Sequence, residues 1–303
     1  MKLLKHLGLF VVSACLLLSG CIGDDLRDCP SDNNLTLSFF YLNFPQHINR
    51  VTVGIYDSGF QLVEYRQIEK KELAILQGMQ LNLPAGSYTA VCWGNAFEHT
   101  QINGFEIGNL LREKETAHPG YFSSSDIPTN DALYYGIHTF TVNTQTTTHE
   151  TVSFTPAHIR LVVQLKGLIN TAPNTFKADE PYIKVNNLEP AYDYTMTPYG
   201  GPATYYPEIA VDPSKALAES VCDVLRFKEI NPITIEVMEN KTTNRILHTL
   251  NLQSFIADNN IKIEEGERII IPIEITFDGN MNVTMVTTIA NWGGVPVDPL
   301  PQE

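Results

Sequence analysis

The sequence predicts an all-β architecture of two β-sandwich domains in tandem with a few short helices. Three observations carry this. Apolar and polar residues alternate with period two through much of the chain, Gly, Pro, Asn and Asp collect between the alternating runs, and 303 residues exceed one ordinary domain. Two domains of about 100–150 residues each would bury adequate cores.

The first sandwich is assigned to residues 30–155. Its strands are read at Leu35–Leu42, Val51–Tyr56, Met79–Leu83, Tyr88–Trp93, His138–Val142 and Glu150–Phe154. The chain restarts near Thr155-Pro156-Ala157, and residues 156–303 form the second sandwich. Its strands are read at Ile159–Leu165, Tyr182–Val185, Ile233–Val237, Arg245–Leu250, Arg268–Phe277 and Asn282–Ile289. Asp278-Gly279-Asn280 between the last two is a hairpin signal. Short helices are expected at 69–77, 107–115 and 213–221, too few to change the class. No repeat of solenoid length is visible.

The N-terminus is of another kind. Lys2 and Lys5, an apolar run from Leu7 to Leu18, and Leu18-Ser19-Gly20-Cys21 form a secretory signal that ends on a cysteine. Residues 1–20 are therefore expected to be removed and Cys21 to carry diacylglycerol and an N-acyl chain, with residues 21–29 as a tether. Several acyl chains anchor stably where one is marginal. Asp24 and Asp25 resemble the acidic tract that sends lipoproteins to the cell surface in one phylum of Gram-negative bacteria, so a lipid-anchored place in the outer membrane, facing outward, is expected.

Losing residues 1–20 removes two lysines and no acidic residue, leaving 283 residues with 18 basic and 34 acidic side chains, net −16. That balance argues against nucleic acid, whose phosphates demand basic patches, and against electrostatic capture by anionic lipid. Cysteine is sparse. Cys15 leaves with the signal; Cys29 and Cys92 are candidates for a disulfide in an oxidising exported setting, or stay reduced; Cys222 reads as a small packed residue. No C-x-x-C spacing supports redox or zinc chemistry.

The search for chemistry returns little. No nucleophile elbow, H-E-x-x-H, P-loop or G-x-G-x-x-G occurs. The histidines lack ligand spacing, and Asp278-Gly-Asn280-Met-Asn282 opens like a calcium loop but has Val283 where glycine is needed and Ile289 where a glutamate is needed. Catalytic residues, a metal and a cofactor other than the lipid on Cys21 are not expected. One loop stands out: Tyr192, Tyr194, Tyr199, Tyr205 and Tyr206 lie on a Pro/Gly-rich segment. Their rings either form a surface for a glycan or host ligand, or fold back over the sandwich edge as a small core.

At this point the residues define a resemblance. Cys21, Asp24-Asp25-Leu26-Arg27-Asp28-Cys29-Pro30, Val53-Gly-Ile-Tyr56-Asp57, Leu83-Pro-Ala-Gly86-Ser-Tyr88, Cys92-Trp93-Gly94-Asn95 and Asn291-Trp292 together resemble the FimB/Mfa-like fimbrial anchor lipoproteins of the fimbrillin superfamily. The resemblance implies two transthyretin-like sandwiches, membrane attachment through Cys21, and a role holding a fimbrillin stalk and limiting its length. A tip or accessory adhesin of the same superfamily, or a glycan-binding surface lipoprotein, is the alternative. Fimbriae of this kind assemble by strand complementation. Leu35–Leu42 and Asn282–Ile289 are the expected exchanged or acceptor strands, because the proline-rich tail 293–303 makes a poor ladder partner. Arg27, beside the lipid, is expected to stay uncut.

Overall fold

A computed structural model describes residues 33–104, 107, 111, 115–117, 119–143, 145–168 and 181–289. The first half forms β1 (Leu35–Phe40), β2 (Arg50–Tyr56), β3 (Leu62–Glu69), β4 (Gly78–Leu81), β5 (Gly86–Gly94), β6 (Gln101–Ile102), β7 (Glu115–Ala117), β8 (Tyr134–Val142), β9 (Thr148–Ser153) and β10 (Thr155–Pro156). The second half forms β11 (His158–Lys166), β12 (Tyr182–Leu188), β13 (Ala191–Asp193), β14 (Pro198–Tyr199), β15 (Ala203–Tyr205) and β16 (Ala210–Asp212). It closes with β17 (Leu217–Leu225), β18 (Thr234–Met238), β19 (Ile246–Asn251), β20 (Ile269–Phe277) and β21 (Val283–Thr287). The helices are short: α1 (Phe44–His47), α2 (Lys70–Leu73), α3 (Pro119–Ser123) and α4 (Leu252–Asp258).

The architecture is the expected all-β one. Sheets β4-β1-β9 and β10-β8-β5-β2-β3 enclose one core, from Leu35, Leu37 and Val152 on one side to Val51, Val53, Ala90 and Phe140 on the other. Sheets β16-β17-β11-β20-β21 and β15-β12-β18-β19 enclose a second, dominated by β-branched residues of β11 and β20. Such side chains fit a pleated, buried surface.

A third core joins the halves. On β5, Tyr88, Ala90 and Cys92 point into the first core while Val91 and Trp93 point the other way, into a cluster with Tyr56, Leu62, Tyr135, Ala157, Tyr192 and Leu225. Period-two geometry thus feeds two cores from one strand, which is why β5 is buried almost throughout. A small sheet, β14-β13-β7-β6, is built from both halves. Residues 119–130, expected in the first sandwich, also cross over: Ile127 packs in the second core, and Asn130 pairs with Asp223.

Beside this apolar core, polar groups also join the halves. Arg160 and Asp223, opposite each other on β11 and β17, form a two-pronged ion pair, Nε to Oδ1 2.9 Å and Nη2 to Oδ2 2.7 Å. The Asp223 backbone N–H donates to Thr129 Oγ1 (2.9 Å), and its carbonyl accepts from Asn130 N–H (2.7 Å). His158, fully buried, donates from Nδ1 to the Leu133 carbonyl at 2.8 Å. Burial holds its ionisation below the usual imidazole range, though Asp223 pulls the other way and Arg160 and Arg268 reinforce the shift. The neutral ring is therefore the folded form, while the unfolded chain protonates near the ordinary pH 6.5. Stability from His158 is complete above that pH and falls below it by up to about 1.4 kcal/mol per pH unit. Comparing denaturant midpoints at pH 5 and 8, the slope is expected to flatten in His158→Gln; an unchanged slope refutes the assignment.

Three reversals use one device. In the β2–β3, β13–β14 and β20–β21 loops an aspartate, Asp57, Asp193 or Asp278, accepts on Oδ1 from the N–H groups two and four residues ahead. The fourth residue, Phe60, Met196 or Met281, is left-handed at φ 60°, 59° and 62°. The Asp278-Gly279 hairpin is therefore a longer loop than the dipeptide signal implies, with Met281 rather than Gly279 taking the left-handed position.

Other elements depart from expectation. The helix expected at 213–221 is a 3-10 turn, Pro213–Lys215, followed by β17. Its inward residues are Ala218, Ser220, Cys222 and Val224, too small or polar to register as alternation. At 69–77 only the single turn α2 forms, held by a capping box between Glu69 and Glu72. Most of 107–115 lies outside the described residues. β3 carries Leu62 and Ile68 as its buried residues, and this weak pattern hid it.

Candidate functional site

The expected site residues are dispersed. Cys21, Cys29 and the tail 293–303 lie outside the described residues. Cys92 is buried in the first core, with no disulfide partner among the described residues, and desolvation drives its thiol's ionisation far upward. Cys222 packs in the second core.

The tyrosine loop divides. Tyr192 is 1% exposed, stacks on Trp93 and donates its hydroxyl to the Arg226 carbonyl at 2.7 Å. Tyr205 is wholly buried and donates to Asn130 Oδ1 at 2.7 Å. For these two, the surface-binding reading is corrected: their rings supply core and their hydroxyls are satisfied within the protein. Tyr194 and Tyr206 are half-buried, and Tyr199 is exposed.

The Cys92-Trp93-Gly94-Asn95 motif is structural too. Asn95, at φ 59°, accepts the Asn49 N–H on Oδ1 (2.8 Å) and donates from Nδ2 to the His47 (2.7 Å) and Ala132 (3.2 Å) carbonyls. A Cβ on Gly94 would lie 3.0 Å from Tyr134 Cβ and 3.2 Å from Ile48 Cγ2.

Of the two strands expected to take part in exchange, one is removed. β1 is the central strand of its sheet, antiparallel to β4 and parallel to β9, so it has no free side to offer. The alternation that marked it reflects an interior strand. β21 is different. It pairs only with β20, Glu274↔Thr287 through Phe277↔Val283, and its outer side is open among the described residues.

Edges are usually blunted by charge, proline or brevity. β3 carries Glu64, Arg66 and Glu69, β9 carries Glu150, and β10, β14, β15 and β16 have two or three residues each. Among the described residues two edges of five or more residues contain neither a charge nor a proline: β21, Val-Thr-Met-Val-Thr, and β19, Ile-Leu-His-Thr-Leu-Asn. Both border the second core. Half-buried Leu247 and Leu250 from β19, and Met281, Val283 and Val286 from β21 and its loop, pack against it. His248 on β19 has a buried Nε2 with no partner among the described residues, and burial lowers its ionisation.

This arrangement can bind an extended segment. Free ladder groups supply directional hydrogen bonds, and each half-buried Val or Leu that a new strand finished covering would add on the order of 1 kcal/mol. Among the described residues no cluster of His, Cys, Asp or Glu could hold a metal, and no helix is long and apolar enough to cross a membrane.

Two sandwiches fused through a shared core, with unpaired ladder groups on two uncharged edges among the described residues, define a class of tandem β-sandwich proteins. Within that class the chain belongs to the family of fimbrillin-A associated anchor proteins Mfa1 and Mfa2, whose pattern matches residues 26–297. Fimbrial and adhesive association at the cell surface follows from that membership. No curated protein matches the chain. Among solved structures the fold is similar to the fimbrial anchor protein Mfa2 from Porphyromonas gingivalis, at TM-score 0.60 and 15% identity over 84% of this chain and 94% of that one. It is also similar to a candidate adhesin from Bacteroides ovatus, at 0.67 and 14% over 85% and 92%. A candidate polysaccharide-binding protein from Bacteroides thetaiotaomicron gives 0.66 and 14% over 85% and 98%.

Proposed function

We propose that this protein is an outer-membrane lipoprotein, anchored through lipid on Cys21, that holds a fimbrial stalk at the cell surface and limits its length by strand complementation with a fimbrillin subunit. The observation that supports the reading is the pair of uncharged edges, β19 and β21, bordering a core that the described residues leave partly uncovered. Unprotected edges invite any extended chain, and natural proteins retain them where pairing is the purpose.

The test uses exposed positions, so that folding is spared. Met285 and Ile246 are 48% and 50% exposed on the two strands. Met285→Lys with Ile246→Lys is expected to reduce fimbrillin recovered from native outer membranes about tenfold or more, whereas Val221→Lys, on interior strand β17, leaves it unchanged. Equal recovery from all three chains rejects the edge assignment. Separately, Cys21→Ala is expected to release stalks into the medium.

The glycan reading rests on Tyr199 with the half-buried Tyr194 and Tyr206. With Tyr192 and Tyr205 in the interior, it has the weaker support.

A further inference from the structure

At one end of the first sandwich four large apolar side chains stand in solvent. Phe40 and Leu42, at the end of β1 and just past it, are 60% and 74% exposed; Ile75 and Leu76, between α2 and β4, are 89% and 38% exposed. Phe40 and Leu76 face each other across the two segments, and Leu42 and Ile75 lie two and one positions along the chain from them. The β1–β4 register, Leu35↔Leu81 to Ser38↔Gly78, continues through the Phe39 N–H donating to the Gln77 carbonyl at 2.8 Å, which sets Phe40 opposite Leu76. The Gln77 side-chain amide also donates to the Phe39 carbonyl at 2.6 Å, so the two segments are fixed together.

The charge around these side chains is unlike the rest of the protein. Lys70-Lys71 is the only adjacent pair of Lys or Arg in the chain. Segments 40–47 and 70–77 together contain those two lysines and one carboxylate, Glu72, in a sequence with 34 acidic residues. The Glu72 carboxylate is engaged with the Glu69 backbone N–H at 3.0 Å. The charged groups of the second sandwich that reach Tyr41 are Arg268, Glu267 and Arg226, net positive.

We infer that this end of the first sandwich is a membrane-contact surface, with Leu42 and Ile75 entering the acyl boundary of a lipid bilayer beside Phe40 and Leu76, and Lys70 and Lys71 meeting headgroup phosphates. Exposed apolar side chains with lysines in the turn that leads into them are the chemistry of interfacial binding. The acidic balance that opposes electrostatic capture by lipid describes the surface as a whole; this end is the exception. The inference takes its setting from the lipid-anchor reading: residues 21–32, fully extended, reach about 40 Å, ample for the domain to lie against the bilayer that holds Cys21.

The experiment removes the lipid so that the two readings fail separately. The mature full-length chain with Cys21→Ser is sedimented with vesicles of phosphatidylethanolamine and phosphatidylglycerol, and with phosphatidylcholine vesicles alone. Binding is expected to the first, with Leu42→Glu/Ile75→Glu lowering it at least tenfold. Lys70→Glu/Lys71→Glu should lower it by about fivefold or more per lysine and abolish the preference for anionic vesicles. These positions are exposed, and an unchanged thermal midpoint shows that folding is intact. No binding, or equal binding by Leu42→Glu/Ile75→Glu, overturns the inference. A concentration-dependent dimer lost in that variant without vesicles also overturns it, in favour of a second copy as the occupant. Whether Cys21 is acylated in cells is read independently from mass spectrometry of the native N-terminal peptide.

Discussion

Arg160→Met and Asp223→Leu are each expected to cost about 3–5 kcal/mol, while the double variant recovers most of the loss. The side chains of the pair are only 8% and 10% exposed, so removing one partner strands a charge where water cannot solvate it. With both gone, an apolar contact replaces the fork at similar volume. Whole-domain stabilities of about 5–15 kcal/mol make the single losses large. A double-mutant cycle on denaturant unfolding measures the coupling; additive single costs would show that the pair is solvated and contributes little. The loss should extend to the crossing segment, since the Asp223 main chain holds Thr129 and Asn130. Amide exchange at Asn130 is expected to quicken in Asp223→Leu.

Trp93→Ala is expected to remove about 3–5 kcal/mol and to split unfolding into two transitions. The ring is 2% exposed, with its centroid 5.0 Å from Tyr135 of the same sheet and 6.3 Å from Tyr192 of the second half. It therefore fills the contact through which the halves share stability. Phe39→Ala is the control: Phe39 packs on Phe44 and Phe154 inside the first core, and losing it should lower stability without decoupling the halves. Calorimetry separates the outcomes, and a single transition in Trp93→Ala refutes the coupling role.

What was legible in the sequence depended on which force left its mark there. Strands with one apolar and one polar face, such as β1 and β18, declare themselves by alternation. β17 did not, because small Ala218, Ser220 and Cys222 suffice where β11 and the opposite sheet supply the bulk. The helix α4 was missed although Leu252, Phe255 and Ile256 follow helical spacing and Asn251 caps the Ser254 N–H at 2.8 Å; seven residues give that period little room. β21 is legible as a strand from its alternation, but its place at the edge comes only from the fold. β1, with a similar pattern, proved central, since alternation reports a buried face and carries no information about how many neighbours a strand has. A Pro/Gly-rich segment leaves both an exposed and a folded-back placement open for Tyr192 and Tyr205; their partners, Trp93 and Asn130, are remote in sequence, and only the fold brings them near.

The crossing of residues 119–130 onto the second sandwich has a consequence for descent as well as for folding. Ile127 completes a core whose other members are mostly encoded past residue 158, and Tyr205 finds its acceptor on Asn130. A recombination event at the apparent boundary near residue 155 would separate each from its counterpart. A chimera joined there is expected to lose both contacts, so its second half should unfold at lower denaturant than in the intact chain.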